Sequence, residues 1–315
     1  MRYRTATAAD EPGLHALWAA AFPDAGTVSA LWGQDQGRHA RTFLAEDDSG
    51  RVVSALHYLP RPIRSATGRP QRVGCLGSVA TLPDARGRGH VRRLLAAAVD
   101  AMTADGCAWS LLFTGTPQVY EAAGWRTFAA PGWSGPLAER APHPGAAAVR
   151  LSTRADLPAL RALRDGFDAT RPLTTVRSAD DWEHRVPVWY APPAAILIAE
   201  DTERAPSPLG FAVLRHPAPG EAEIAEMALA PGREAAGAAA LLSAAAIRAR
   251  AAGATTAAVR LPAEPAILDA LPYLLAETVP ATTHYGMARP VIAPTAEVLA
   301  TVTAPGAVHW YGDSF

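Results

Sequence analysis

Hydrophobic and polar positions follow one pattern twice along this chain. The segments RTATAADEPGLHAL, from Arg4, and RLSTRADLPALRAL, from Arg150, each contain an aspartate, a proline two residues later and apolar residues at helical spacing. Aspartate caps exposed helix amides and proline suits the first turn, so each segment predicts the start of an amphipathic helix. In the first copy the predicted apolar stripe consists of Leu14, Leu17, Trp18, Ala21 and Phe22.

The match between the two halves continues beyond this helix. Phe43–Leu56 and Leu197–Leu214 each have the pattern of a strand, a polar turn and a second strand. SVATLP at Ser78 and EMALAP at Glu226 both precede an alanine- and leucine-rich segment that favours a helix. Duplication of one α/β unit explains these matches, and 315 residues suffice for two domains. The predicted division is an N-terminal domain (1–135), a linker (136–147), a second domain (148–292) and a C-terminal tail (293–315).

Composition narrows the classes of function. The formal net charge is −1, so no overall basic surface favours nucleic acid, and we expect no nucleic-acid partner. The sequence has neither a signal-peptide pattern nor an apolar run of about 18 residues, so we expect a cytoplasmic protein without a membrane partner. Cys75 and Cys107 are isolated and lack metal-ligand spacing, so we expect no metal.

The two copies differ where the strand after the hairpin meets the next helix. The first copy has PDARGRGHVRRLL and the second has PGREAAGAAALL. A helix N-terminus exposes backbone N–H groups with partial positive charge, and Gly87 and Gly89 leave that backbone open to an anion. Arg86 and Arg88 supply charged donors for phosphate. The pattern is neither a dinucleotide fingerprint nor a Walker loop, and a tight turn with surface arginines is the alternative interpretation.

This loop, followed by YEAAGW within Trp109–Phe128, resembles the acetyl-coenzyme A region of the GNAT superfamily of N-acetyltransferases. RGRGHVR is also similar to the loop of the Eis-like (enhanced intracellular survival) family, and the resemblance covers residues 1 to about 292. It implies an α/β fold of two tandem GNAT domains, each a mixed central sheet flanked by helices. Only a short tail stands where that family has a sterol-carrier-protein-like domain.

The resemblance also implies a function. The chain would be an acetyl-CoA-dependent N-acetyltransferase that acts on a primary amine of a small molecule by direct transfer through a ternary complex. The acceptor would be an antibiotic, such as an aminoglycoside, or a biosynthetic amine. Acetyl-CoA would serve as co-substrate, and the second, degenerate domain would have no active site of its own.

Particular residues take family roles in this interpretation. The Val79 backbone N–H would polarise the thioester carbonyl, and the Tyr120 phenol would protonate the leaving thiolate. The free carboxylate of Phe315 would orient or deprotonate the amine. The coenzyme would contact Val79, Ala80, Thr81, Arg86, Gly87, Arg88, Gly89, His90, Val91, Thr114 and Gly115. The acceptor would contact Trp18, Asp24, Trp32 and Asp35 through carboxylates and aromatic faces.

Two other functions stay open. A mycothiol-synthase-like acetyltransferase is also a tandem GNAT protein, but that family keeps its working loop in the C-terminal copy. A non-catalytic acyl-CoA-binding regulatory protein would be expected to lack the loop or Tyr120, and both are present here. The expected partner is a small-molecule amine, and homo-oligomer formation stays open.

Overall fold

The computed structural model describes residues 1–139, 147–202 and 207–315, which form two seven-stranded mixed β-sheets with helices packed against them. The predicted α/β architecture with two sheets is confirmed. Residues 140–146, within the predicted linker 136–147, lie outside the described residues. The strands are β1 (Arg2–Thr5), β2 (Thr42–Glu46), β3 (Val52–Arg64), β4 (Pro70–Thr81), β5 (Trp109–Phe113), β6 (Arg126–Thr127), β7 (Trp133–Pro136), β8 (Ala147–Leu151), β9 (Ala195–Asp201), β10 (Pro208–Arg215), β11 (Glu221–Leu229), β12 (Thr256–Val259), β13 (Val279–Pro280) and β14 (Gly286–Pro290). The α-helices are α1 (Glu11–Ala21), α2 (Ala25–Gly33), α3 (Arg38–Arg41), α4 (His90–Ala104), α5 (Gln118–Glu121), α6 (Leu157–Phe167), α7 (Val186–Trp189), α8 (Glu234–Ala251), α9 (Pro265–Ala270) and α10 (Thr295–Val302).

Each sheet contains one strand from the half of the sequence that forms the other sheet. The first sheet has the order β1-β2-β3-β4-β5-β14-β6, and the second has β13-β7-β12-β11-β10-β9-β8. Strand β14 pairs with both β5 and β6, whereas β7 lies between β12 and β13. The predicted boundaries at 135 and 148 separate the two copies of the sequence repeat. They do not separate the two sheets, because β7 pairs with strands of the second sheet and β14 pairs with strands of the first.

The same polar network stands at the start of both units. In each unit an arginine of the first strand binds the aspartate before the first helix and a glutamate of the second strand. The groups are Arg4 with Asp10 and Glu46, and Arg150 with Asp156 and Glu200. Each aspartate also accepts hydrogen bonds from the threonine three residues earlier. A threonine–aspartate pair, rather than the aspartate alone, therefore caps the turn that leads into each helix, and the duplicated geometry matches the duplicated sequence.

Strands β4 and β5 separate at one end of the first sheet. Their parallel pairing runs from Val73 opposite Trp109 to Cys75 opposite Leu111, although β4 continues to Thr81. Helix α4 packs on one face of β3 and β4, and α1 packs on both strands as well, in a different hydrophobic cluster. The result is a gap between β4 and β5 with a different helix on each side.

The equivalent region of the second sheet contains buried charges. Glu226, the counterpart of Ser78, is fully buried and accepts hydrogen bonds from Arg177 at 2.9 and 2.6 Å. Asp313 of the tail accepts a further hydrogen bond from Arg177, and Trp310 is fully buried in the core of the second unit. The tail thus completes the packing of the second unit.

Within residues 1–139, 147–202 and 207–315, no helix combines the length and the apolar character that crossing a bilayer requires.

Candidate active site

A strained backbone position lies at the entrance to the β4–β5 gap. Ser78 has a φ of 54°, a left-handed conformation that favours glycine. The Trp18 indole N–H donates a hydrogen bond to the Ser78 carbonyl oxygen at 3.2 Å, and the β3–β4 register shifts between Ala55 and His57. A bulge of this kind re-aims the backbone that follows it. Strand β5 does not pair with the backbone of 79–81, which follows the bulge.

The glycine loop stands before helix α4. Gly87 and Gly89 both adopt left-handed conformations, with φ of 74° and 75°. Among the described residues, a Cβ on Gly87 would meet no atom within 4 Å, and one on Gly89 would meet the Arg92 guanidinium at 3.7 Å. Helix α4 begins at the next residue, His90. The loop therefore presents open backbone at the positive end of a helix, which fits a pyrophosphate.

The two loop arginines bond to the backbone around them. Arg86 donates from Nε to the Thr81 carbonyl at 3.3 Å, and Arg88 donates to the Asp84 carbonyl at 2.9 Å. Both arginines are exposed, so each keeps guanidinium N–H groups that face solvent. Those groups are available to an anionic ligand.

The His90 side chain points away from the loop. It is buried, and its Nδ1 lies 2.8 Å from the hydroxyl of Tyr3. Burial, followed by the charge of Arg88, lowers the pKa of this imidazole. Val91 is partly buried against the core beside α4. A coenzyme contact by either residue stays a prediction, and for His90 the available group is the backbone N–H.

Tyr120 lies on α5 within the core on the α4 side of the sheet. Its side chain is 7% exposed, and its ring centre lies 6.4 Å from that of Trp125. Burial raises the pKa of Tyr120 to about 12, although a hydrogen bond with Thr114 opposes the shift. The phenol therefore keeps its proton at neutral pH, as a general acid must. Thr114 and Gly115 follow directly after β5, beside the gap.

Phe315 packs against β4 on the opposite side of the sheet. A Cβ on Gly77 would lie 2.5 Å from an α-carboxyl oxygen of Phe315 and 2.9 Å from its carboxyl carbon. Gly77 is paired with His57 across β3 and β4, so this contact lies on the face that carries the His57 side chain. The Phe315 and Phe113 ring centres are 6.1 Å apart. Tyr120 and Phe315 therefore approach the gap from its two sides.

Buried ion pairs fix the tail that carries Phe315. Asp313 accepts hydrogen bonds from Arg164 and Arg177, both at 2.6 Å, and all three side chains are almost fully buried. Burial alone would raise the pKa of Asp313, but the two guanidinium groups hold it at about 2. The Trp189 indole N–H donates to the Ser314 carbonyl at 2.9 Å. The sequence analysis did not single out Asp313, because its partners lie far away along the chain.

The four predicted acceptor residues lie in different environments. Trp18 and Trp32 are buried in one cluster, with exposures of 0% and 3%, and both indole N–H groups are already hydrogen-bonded. Asp35 is 8% exposed and is paired with Arg41 at 2.8 Å. Asp24 is exposed just before α2. Acceptor binding by these residues stays a prediction, and the tryptophans have evident structural contacts.

His57 is a functional candidate that the sequence analysis missed. Its Nδ1 lies 3.2 Å from the Thr42 hydroxyl, which also accepts the Trp32 indole N–H, and its Nε2 lies 3.5 Å from Asp35. Burial lowers the pKa of His57 to about 4 against the opposing charge of Asp35. The imidazole is therefore neutral at pH 7 and shares a sheet face with the Phe315 contact. The available signal was a histidine inside the apolar run VVSALHYL.

A cavity of about 500 Å³ lies between the two sheets. The first sheet supplies the end of β5 and the segment after β6, whereas the second supplies Arg215, Glu223 and Arg260. Ser314 and Tyr311 of the tail also line it. Thr114 and Gly115 belong to the same wall, so the cavity adjoins the β4–β5 gap. Within the described residues, no cluster of three or more His, Cys, Asp or Glu side chains suited to a metal was found.

Comparison with known proteins links this geometry to one superfamily. The model of the acetyltransferase (GNAT) domain family matches residues 2–128. No curated protein sequence gives a significant match. A solved GCN5-related N-acetyltransferase from Kribbella flavida is 19% identical, with a TM-score of 0.69, over 93% of this chain and 71% of that one.

Two further solved structures share the fold. A probable N-acyltransferase from Enterococcus faecalis is 14% identical, with a TM-score of 0.70, over 92% of this chain and 72% of that one. Eis1 from Mycobacterium abscessus is 13% identical, with a TM-score of 0.61, over 93% of this chain and 74% of that one. At these identities the likeness concerns the fold. Residues 2–128 therefore match the model of an acetyltransferase (GNAT) domain, and the chain as a whole has a tandem GNAT-like fold.

Proposed function

We propose that this chain transfers an acetyl group from acetyl-CoA to a primary amine of a small molecule, by direct transfer within a ternary complex. The observation that carries the proposal is the open β4–β5 gap, with the glycine loop at the start of α4 and a buried tyrosine beside it. One active site per chain follows, because the corresponding part of the second unit lacks the loop and contains buried charges.

The coenzyme would be held mainly by backbone. The N–H groups around Gly87 to Val91 would bind its pyrophosphate, while Arg86 and Arg88 would neutralise charge. The pantetheine would pair with the backbone of Val79, Ala80 and Thr81, which β5 leaves accessible. Thr114 and Gly115 would flank it from the β5 side.

The chemistry requires three groups around the thioester. The Val79 N–H would donate to the thioester oxygen and favour attack by the amine on the carbonyl carbon. As the new C–N bond forms and the C–S bond breaks, the Tyr120 phenol would give its proton to the departing thiolate. The amine would lose a proton on the opposite face, where the carboxyl group of Phe315 would orient it or accept that proton. An α-carboxyl pKa of about 3.5 favours orientation of the ammonium, or relay through water, over direct abstraction.

The acceptor class follows from the sequence resemblance. An antibiotic amine of aminoglycoside type or a biosynthetic amine would bind on the α1 face, near Trp18, Asp24, Trp32 and Asp35. The shared fold with Eis1 supports an Eis-like assignment. A small-molecule partner is compatible with the absence of positive net charge. It is also compatible with the cytoplasmic location expected from the sequence.

The test is the release of coenzyme A from acetyl-CoA across a panel of primary amines. Release that depends on an amine, with an acetylated product detected by mass spectrometry, supports the proposal. Binding of acetyl-CoA without transfer to any amine in a broad panel would favour the non-catalytic alternative. A variant with a short Gly/Ser extension after Phe315 tests the carboxyl group, since it displaces the charge and keeps the ring. Normal turnover of this folded variant would exclude a catalytic part for that carboxylate.

A further inference from the structure

The cavity between the sheets opens where the acyl group of the coenzyme would lie. Cys75 is the last residue of β4 paired with β5, opposite Leu111. If this pairing is extended by two residues, Phe113 lies level with Gly77 across the gap. Extended by two more, it places Gly115 close to the level of Val79. Phe113, Thr114 and Gly115 all line the cavity. A molecule in the cavity can therefore present an amine to the gap.

Aromatic side chains form much of the cavity wall. Phe113 and Tyr285 line it although they are 42% and 58% exposed, and Phe128, Tyr311 and His309 line it as well. The His309 and Phe113 rings are stacked, with centres 5.0 Å apart. Exposed aromatic faces that converge on one cavity are typical of a site for an apolar or aromatic ligand body.

The charges of the cavity come from the second sheet. Arg215, Glu223 and Arg260 are the charged side chains among its described lining residues. Glu223 accepts from Arg215 at 2.7 Å and lies 3.8 Å from Nε of Arg260. One carboxylate is thus shared between two guanidinium groups, and the lining keeps a net positive charge. A second carboxylate, from a ligand, would complete the pairing of these arginines.

We propose that the acceptor is a primary amine that carries a carboxylate on an aromatic or apolar body, and that it occupies this cavity with its carboxylate at Arg215 and Arg260. The inference rests on the proposed acetyl transfer and defines its substrate class. The second unit then has a role in catalysis without an active site of its own: it selects the acceptor. Of the two acceptor classes that the sequence resemblance implies, this inference favours a biosynthetic amine over an aminoglycoside, because a polycation would place extra positive charge beside the two arginines. It also places the acceptor in the cavity instead of at Trp18 and Trp32, which are buried.

The experiment compares 4-(aminomethyl)benzoate with benzylamine, which has the same amine and ring but no carboxylate. Spermidine serves as a polycation. We expect kcat/KM for the carboxylate-bearing amine to exceed that for benzylamine by about tenfold or more, the size of one charge-assisted hydrogen bond. Arg260→Gln should reduce this preference several-fold, mainly through KM. Glu223→Gln should increase it, because the competing carboxylate is removed.

Arg154→Gln is the matched control, since it makes the same charge change at a side chain that is 91% exposed. It should leave the preference unchanged. Circular dichroism and melting temperature report whether each variant folds. Equal kcat/KM for the two aromatic amines, or a higher value for spermidine, would overturn this inference while acetyl transfer itself stands. Release of coenzyme A with none of the amines would instead count against the proposed function.

Discussion

Gly77 of β4 and Phe315 of the tail are in direct contact. A Cβ on Gly77 would lie 2.5 Å from an α-carboxyl oxygen of Phe315, closer than real Cβ atoms approach another atom. The end of the tail therefore rests on the backbone of the strand that borders the gap. This contact joins the two units at the site where we propose that transfer occurs.

Replacing Gly77 by alanine should displace Phe315. The added methyl group meets backbone atoms of the tail, so the tail must move, and we expect kcat to fall by about tenfold with a stability loss of about 1–3 kcal/mol. Steady-state kinetics and thermal melting measure the two effects. Gly26→Ala is the control, because among the described residues a Cβ there meets nothing within 4 Å. Unchanged kcat in a folded Gly77→Ala protein would show that the position of the tail does not matter for turnover.

Replacing Tyr120 by phenylalanine should lower kcat by about 10²-fold, because the ring stays and the proton donor is lost. Affinity for acetyl-CoA should change little, since the proposed coenzyme contacts are elsewhere. With the pKa of Tyr120 raised to about 12, turnover should not decline through loss of this proton below about pH 10. Pre-steady-state measurement of the chemical step is the suitable assay. A normal rate of that step would show that Tyr120 serves only to pack the core.

Replacing Asp313 by asparagine should destabilise the protein at pH 7 by about 2–3 kcal/mol, because two buried guanidinium groups lose one carboxylate partner, while Glu226 still pairs with Arg177. The pKa of Asp313 is held at about 2, below its ordinary value of 3.8. Its contribution is therefore present above about pH 4 and is lost as the pH falls toward 2. The difference in free energy of unfolding between the two proteins should shrink over that interval.

Denaturant unfolding at several pH values measures this effect. Asp165→Asn, at a side chain that is 46% exposed and paired at 3.6 Å with Arg161, is the control and should cost little. A loss for Asp313→Asn that matches the control would contradict the role of Asp313 as an anchor.

The sequence predicted the parts of this fold that depend on local patterns. The helix after Asp10, the hairpin of Phe43–Leu56 and the short helix at Tyr120 all follow from residues that are close together along the chain. The glycine loop could be identified because backbone freedom and charge are local properties.

The remaining features depend on contacts between distant residues. The exchange of β7 and β14 between the sheets is not encoded by the strand patterns, which do not specify a partner sheet. Trp18 and Trp32 both pack in the core, which their local sequence did not specify, and their predicted contact with the acceptor stays a prediction. His57 and Asp313 were missed because their significance lies in neighbours that are distant along the chain, such as Arg177 for Asp313.

The central claim is that acetyl-CoA binds at the glycine loop of the first unit alone. Isothermal titration of acetyl-CoA into the wild type and into Gly89→Asp tests this claim most directly. Gly106→Asp is the control, because Gly106 also has a positive φ of 71° and, among the described residues, open space at its Cβ. We expect one site per chain in the wild type, loss of binding in Gly89→Asp, where the aspartate repels and blocks the pyrophosphate, and unchanged binding in the control. Two equivalent sites per chain, or full affinity in Gly89→Asp, would contradict the account.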